Sequence, residues 1–397
     1  MTSNVALEHA CEFVTDGTHY TPKNIGAGVP FLTVKDVNDR AIDLAGCSFI
    51  SEADYLAAKA ANSAPRRGDV LFSKDGTVGK VHVVATDHPF AVLSSLAILR
   101  PRYDITDAGY LGHALRSPAA FDQALKKKTG SAIRRIVLSD LRQVRVPLPP
   151  LPEQRRIAAI LDQADALRTK RREALTQLDS LTQSIFTEMF GDPARNTKGW
   201  SEVTIADICE VKGEKRLPKG EDYSATPTSF RYIRVTDIRS GSVDESKLVF
   251  LTPEVQSTIS RYIVNAGDVI ISIAGSIGLI APVFTPLAGA NLTENAAKLV
   301  PRANAPLYDH VFLAKALQTP FSQDQISSHV GQVTIGKLAL FRIEKVRLPL
   351  PPIDAQRRFA RSVEAVARLR RVHQASTDEV DALFASLQHR AFAGQLS

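Results

Sequence analysis

Pro147-Leu148-Pro149-Pro150-Leu151-Pro152-Glu153-Gln154-Arg155-Arg156 returns, little changed, as Pro349-Leu350-Pro351-Pro352-Ile353-Asp354-Ala355-Gln356-Arg357-Arg358. The copies begin 202 residues apart, and each runs straight into a long, helix-like apolar pattern. A period this long is not a solenoid repeat, which falls at roughly 20–50 residues. It is a duplicated half-protein: a globular domain followed by a helix, twice.

The duplication extends outward at nearly constant offset. Val5-Ala6-Leu7 with Cys11-Glu12 matches Val203-Thr204-Ile205 with Cys209-Glu210. Phe31-Leu32-Thr33-Val34-Lys35-Asp36-Val37 matches Tyr232-Ile233-Arg234-Val235-Thr236-Asp237-Ile238. Gly68-Asp69-Val70-Leu71 with Ser73, Gly76 and Gly79 matches Gly267-Asp268-Val269-Ile270 with Ser272, Gly275 and Gly278. Gly130 precedes the first proline run as Gly331 precedes the second. Apolar type and glycine persist while the segments between them differ, the pattern of one fold carrying two surfaces.

A chain of 397 residues that is 44% hydrophobic can form two or three domains with proper cores. Its net charge of +7 suits either a solvated basic surface or a polyanion partner, nucleic acid before membrane. No stretch approaches a membrane span. The N-terminal Met1-Thr2-Ser3-Asn4-Val5 lacks the basic region and apolar core of a secretion signal, so a cytoplasmic protein is expected. Cys11, Cys47 and Cys209 are far apart and lack CxxC spacing, so they read as reduced core thiols.

Residues 1–146 alternate short apolar runs with turns. Asp69 to Phe72 and Val81 to Val84 read as strands around the glycine turn Asp75-Gly76-Thr77-Val78-Gly79, Leu93 to Leu99 as another strand, and Tyr110 to Ala124 as helix. Residues 199–348 repeat the order, with Val269 to Ile273 and Tyr308 to Leu317 in the corresponding places. The mix predicts α+β domains with curved sheets. Prolines 147 to 152 are expected to exclude helix, so one helix should open at Glu153 and end near Phe190, and the other should span Ala355 to Phe392.

Ile160, Ala164, Leu167, Arg171, Ala174, Leu178, Leu181 and Ile185 follow alternating spacings of four and three. So do Ser362, Val366, Leu369, His373, Ser376, Val380, Leu383 and Leu387, each 202 residues on. Two such stripes bury best against each other. If each helix leaves its own domain and ends at the other, the pair is antiparallel and pseudo-twofold symmetric. Arg171 and His373 then either form a polar layer near the axis or face solvent.

Catalytic motifs do not emerge. The Pro-Pro pairs lack the flanking residues of a methyltransferase pocket, and no glycine-rich cofactor turn follows a strand. There is no GxxxxGK[ST] and no HExxH. Asp75 to Lys80 reads as a hairpin turn and not a phosphate loop. Glu245-Ser246-Lys247 fits the end of a nuclease metal site, but so short a motif is common by chance and its counterpart segment has nothing similar. His19, in Asp16-Gly17-Thr18-His19-Tyr20, reads on spacing as a turn histidine. What remains is basic: Lys126-Lys127-Lys128-Thr129-Gly130-Ser131-Ala132-Ile133-Arg134-Arg135, a loop with Lys212, Lys215, Arg216 and Lys219, and a third group of Arg231, Arg234 and Arg239. Lysine and arginine give salt-dependent phosphate contact, and polar loop residues can read base edges. A solvated face is the alternative for any one run. Basic runs in both halves favour DNA.

The whole chain resembles the specificity subunit of type I restriction-modification systems. The likeness rests on residues 147–157 and the copy at 349–359, on Gly68 to Gly79, on Asp16-Gly17-Thr18-His19, and on Ser386-Leu387-Gln388-His389-Arg390-Ala391-Phe392. The second copy departs where Ile353-Asp354-Ala355-Gln356 replaces the usual Leu-x-Glu-Gln. The resemblance implies an α+β fold with two α/β target recognition domains, 1–146 and 193–348, joined by spacer helices within 147–192 and 349–397. Each domain would read half of a split, asymmetric site in double-stranded DNA. The helices would set the spacing and carry two modification (methyltransferase) subunits, which restriction (translocase-nuclease) subunits join. The subunit itself would be non-catalytic, without cofactor, metal or membrane. His19, Ser73, Lys74, Thr77, Lys126, Lys127, Lys128, Ser131, Arg134 and Arg135 are the residues expected at DNA in the first half. Lys215, Arg216, Arg231, Arg234, Ser276, Gln332, Thr334 and Lys337 are those of the second. A related system whose partner fuses modification and cleavage is the nearer alternative, and a protein-binding scaffold the more distant one.

Overall fold

The computed structural model describes residues 3–38, 41–126, 136–239, 241–328 and 337–396. Two long helices, Leu151–Phe190 and Ile353–Phe392, run through it. The chain divides into one unit of Met1–Glu173 with Gln374–Ser397 and a second of Ala174–His373. Each unit therefore holds one α/β domain, the start of one long helix and the end of the other.

The first unit has a four-stranded antiparallel sheet in the order Cys11–Asp16, Leu96–Pro101, Val70–Ser73, Val81–Val83. A three-stranded sheet sets Val29–Leu32 between antiparallel Ser48–Ile50 and parallel Ala91–Val92. Ser3–Ala6 pairs with Arg145–Leu148, the strand that enters the proline run. The second unit repeats all three: Cys209–Gly213, Ala296–Pro301, Val269–Ser272, Ile280–Pro282; then Arg231–Ile233 between Val249–Phe250 and Asn291–Leu292; then Ser201–Thr204 with Arg347–Leu350. The central strands are buried on both faces, which explains unbroken apolar runs such as Val269-Ile270-Ile271. Cys11 and Cys209 lie in these cores, and burial pushes both thiols up to about 12, so they stay neutral.

The expected helix over Tyr110 to Ala124 is two helices, Ala108–Leu115 and Pro118–Lys126. Pro118 has no N–H and disfavours helix at Ser117, so the chain restarts there. Both long helices also begin two residues earlier than expected. Pro152 sits in the first turn, where a missing N–H costs nothing, and the carbonyls of Pro150 and Pro352 accept the first helical bonds.

The repeated glutamine has a definite task. Gln154, fully buried, accepts the Asp107 N–H (2.8 Å) and donates to the carbonyls of Ile105 and Pro149 (both 2.7 Å). Gln356, also fully buried, accepts the Asp309 N–H (2.9 Å) and donates to Pro351 O. Each glutamine thus ties the start of its helix to the loop before a domain helix. Gln154→Leu leaves three backbone groups unpaired in the interior. A loss of at least about 2 kcal/mol is expected in chemical denaturation, since each unsatisfied group costs about 1–3 kcal/mol.

Of the expected seam Leu178 is buried and Ile160, Ala164, Arg171, Ala174 and Ile185 are half-buried, but the leucines at 167 and 181 turn outward. Leu167 and Leu181 are 42% and 39% exposed, and their repeats Leu369 and Leu383 are 47% and 53% exposed. The cores fix this orientation. Leu161 is anchored in the first core and Phe186 in the second. They lie 25 residues apart, almost seven turns at about 3.6 residues per turn. Asp165, Arg168, Leu175 and Thr182 are then half-buried with the seam, while Arg172 and Asp179 lie exposed at its edge. In the second helix Phe359 and Phe384 are the anchors, again 25 residues apart. Charged pairs flank the middle of the seam. In the first unit Arg168 donates to Asp381 (2.6 Å), and Arg172 reaches the same carboxylate (2.9 Å). In the second unit Arg370 donates to Asp179 (2.7 Å), the same pair displaced by 202 residues. Within each unit these pairs, with Arg156 against Leu396 O in the first and Phe186 against Phe359 in the second, set the two helices antiparallel. Arg171 and His373, the expected polar layer, are half-buried.

Candidate nucleic-acid interface

Both central hairpins are built alike. Ser73 is buried; its Oγ donates to Thr77 O (2.6 Å) and accepts the Lys80 N–H (2.7 Å). Ser272 Oγ donates to Ser276 O and accepts the Leu279 N–H (2.8 Å). Each serine thus closes a turn whose tip, Gly76-Thr77 or Gly275-Ser276, is exposed. Gly79 is left-handed (φ 96°), and a Cβ there would meet the Phe121 ring at 2.2 Å. Thr77 and Ser276 stand where a ligand can reach them, and Ser73 holds the loop in shape.

Lys74 is buried, with Nζ 3.0 Å from Asp16 Oδ1. In the second unit the strand register puts Gly213 in the place of Asp16, and the next residue, Glu214, carries the carboxylate. Its partner is Lys298, from a different strand, at 3.2 Å. Burial pushes the Glu214 carboxyl up, and Lys298 opposes that shift. Each half therefore keeps a buried carboxylate–ammonium pair below the loop that follows the edge strand Cys11–Asp16 or Cys209–Gly213. His19 is exposed on that loop, 3.7 Å from Asp16. Gly17 is needed there because a Cβ would meet the carbonyls of Val92 and Leu93 at 2.3–2.4 Å.

The chain leaving 127–135 is stitched to the first hairpin by Ile136 N–H to Lys74 O (2.8 Å). Leu338 N–H to Ile273 O (2.8 Å) does the same in the second unit, and Lys337 beside it is exposed. Lys127, Lys128, Ser131, Arg134, Arg135, Gln332 and Thr334 lie outside the described residues, as does the side chain of Lys126. In each unit, then, the expected hairpin and the exit of the expected basic or polar segment meet at one place.

The other basic residues gather in the second unit. Lys215 and Arg216 are exposed, and Arg216 Nε is 3.4 Å from Glu294. Arg234 grips Asp237 with two bonds (2.8 and 3.0 Å) and donates to Lys247 O (2.8 Å). Arg231 is turned to Pro286 O (2.6 Å) and to Glu245 (3.6 Å), which occupies one end of the nuclease-like tripeptide. An open cleft of about 880 Å³ lies between Arg216–Tyr223 and the wall of Arg234, Glu294 and Asn295. Sequence reading missed Tyr223, Glu294 and Asn295, because nothing in their spacing links them. Among the described residues no cluster of histidine, cysteine and carboxylates could hold a metal, and no helix is long and apolar enough to cross a membrane.

Paired domains of this design, each with an exposed serine-locked hairpin tip beside the exit of a basic or polar segment, define a binding module. The chain belongs to the type I restriction modification DNA specificity domain family, which it matches over residues 11–177 and 197–382. Members of that family supply DNA specificity and are not catalytic. The chain is 29% identical to the Escherichia coli type I restriction enzyme EcoBI specificity subunit, over 42% of this chain and 36% of that protein. It is 20% identical to the putative type I restriction enzyme MjaX specificity subunit of Methanocaldococcus jannaschii, over 98% of this chain and 92% of that protein. In fold it is similar to the type I restriction-modification S subunit from M. genitalium (TM-score 0.59, 16% identity, 99% and 96% of the two chains). A chain from a study of type I R-M complex assembly is similar too (TM-score 0.58, 18% identity, 99% and 98% covered).

Proposed function

We propose that this chain is the DNA-recognition subunit of a type I restriction-modification complex. Residues 1–146 and 193–348 act as its two target recognition domains, each reading one half of a bipartite, asymmetric site. The observation that carries this reading is the repeated scaffold with dissimilar loops. Identical hairpins, identical stitches to the segments at 127–135 and 329–336, and identical glutamine ties present different side chains in the two units. Phosphate contact by exposed lysines and arginines gives affinity, and the loop side chains give sequence. The long helices set the spacing. Their outward leucines recur 202 residues apart, at 167 and 369 and at 181 and 383, which supports two equivalent seats for two modification subunits. Restriction subunits join that core, in the cytoplasm where the DNA is.

The test is methylation mapping in cells that carry the chain with its modification and restriction partners. Exchanging residues 1–146 for those of another such subunit should change one half of the methylated site and leave the other intact. A change in both halves, or in neither, would sink the proposal. Phosphate contact has its own check. Lys337→Ala should weaken binding to specific and random duplexes about equally and lower the slope of log K against log salt by about 1. Fluorescence anisotropy across a salt series reads both.

A further inference from the structure

The two units share more than strand order around the cleft of the second. Thr293 N–H bonds Ile233 O (3.0 Å), and Leu93 N–H bonds Leu32 O (2.9 Å). Asn295 O accepts the Ile273 N–H (2.7 Å), and Ser95 O accepts the Lys74 N–H (3.0 Å). Asp237 accepts the Arg234 N–H (2.9 Å), and Asp36 accepts the Thr33 N–H (2.7 Å). The same two segments are held at the same places by the same backbone bonds. Around the shared Val34/Val235 and Asp36/Asp237 the side chains mounted on them differ: Arg234 against Thr33, Thr236 against Lys35, Glu294 against Ser94, Asn295 against Ser95. A framework that fixes backbone atoms and frees the side chains is what a reader of variable sequence needs.

Within the second unit the chemistry of this wall is specific. Arg234 is held by Asp237 and by the Lys247 carbonyl, and its guanidinium lies 5.9 Å from the Tyr223 ring centroid. It forms a fixed cationic plate. Tyr223 in turn packs on buried Tyr232, ring centroids 5.6 Å apart. Glu294 is held loosely, by Thr293 Oγ1 (3.1 Å) and by Arg216 (3.4 Å). A lone carboxylate facing a phosphate backbone is repelled. Here Arg216 pairs with it and Lys219 and Arg234 line the same cleft, so the approach of DNA is offset by local positive charge. A carboxylate only accepts hydrogen bonds. It therefore matches an exocyclic amino group of cytosine or adenine in the major groove and rejects the carbonyl oxygens of guanine and thymine.

We propose that Glu294 is a specificity-determining residue, accepting a hydrogen bond from an exocyclic amino group in the half-site read by the second domain. Ser94 holds the equivalent reading position in the first. This inference rests on the DNA-recognition reading above, and its test separates the two. The full chain is expressed with its modification and restriction partners, and methylated sites are mapped for the parent, Glu294→Gln and Ser94→Glu. The near-isosteric Glu294→Gln adds a donor to the acceptor. It should cost about tenfold or more in discrimination at one position of one half-site and leave the other half-site unchanged. Ser94→Glu should alter only the opposite half-site. An unchanged sequence requirement in both variants would overturn the assignment. So would Glu294→Gln methylating nothing while its thermal unfolding matches the parent, because Glu294 would then serve assembly and not readout. If Glu294→Gln does not fold, Ser94→Glu decides alone. Failure of the parent to give sequence-defined methylation would strike the DNA-recognition reading itself.

Discussion

Phe186→Ala should destabilise the second unit by about 3–5 kcal/mol, the range for removing a buried phenylalanine. Phe186 and Phe190 come from the end of the first long helix, Phe359 from the start of the second, and Phe312 from the domain. Phe186 stacks on Phe312 at 5.9 Å and meets Phe190 and Phe359 edge-on at 5.1 and 5.5 Å. Phe190 meets Phe312 and Phe359 at 5.0 and 5.5 Å. Three chain segments therefore share one cluster, and removal of the ring at its centre loosens all three. Among the described residues the first unit has no such ring cluster; Tyr110 faces Phe392 (5.6 Å), and Gln388 takes the place equivalent to Phe186. Denaturant unfolding followed by tryptophan emission is a direct measurement, because Trp200 is the single tryptophan and lies in the second unit. A loss under about 1 kcal/mol would show that the cluster does not hold the helices to the domain.

The duplication, the two α/β domains and the long helices were legible because each rests on a local signal. Proline runs, glycine turns and buried apolar strands leave marks within a few residues. The misplacements concern relations between distant segments. Leu167 and Leu181 turn outward because Leu161 and Phe186 are fixed in separate cores, and the spacing of leucines carries no record of that. Reading Leu167 and Leu181 inward satisfied apolar periodicity but left Asp165, Arg168, Arg172 and Asp179 without their ion partners. Ser73 and Lys74 looked like loop-tip polar residues in sequence. In the fold the first locks a turn and the second neutralises Asp16. The cleft wall was invisible because it joins residues near 234 to residues near 294 through one parallel strand pair, Arg231–Ile233 with Asn291–Leu292. A matching signal did exist: Asp36 and Asp237 recur at the turn that presents the wall, among the clearest of the repeated segments.

Seven residues inserted after Glu173, together with seven after Ala375, should lengthen the unread spacer of the methylated site by about three base pairs. Both half-sites should keep their sequence. These points lie midway between the pairs Arg168–Asp381 and Asp179–Arg370, so each unit keeps its own cross-helix contacts. A heptad preserves the inward face to within about 20° and adds roughly 10 Å at about 1.5 Å per residue. Each helix has 40 residues and is thus roughly 60 Å long. Three added base pairs also rotate one half-site by roughly 100° about the duplex, so slower methylation should accompany the new spacer. The same insertion in one helix alone shifts every pair in one unit out of register, and loss of stable folding is expected there. Methylation mapping reads the spacer directly. If the doubly extended chain methylates sites with the parental spacer, the helices tether the two domains without measuring the distance between their targets.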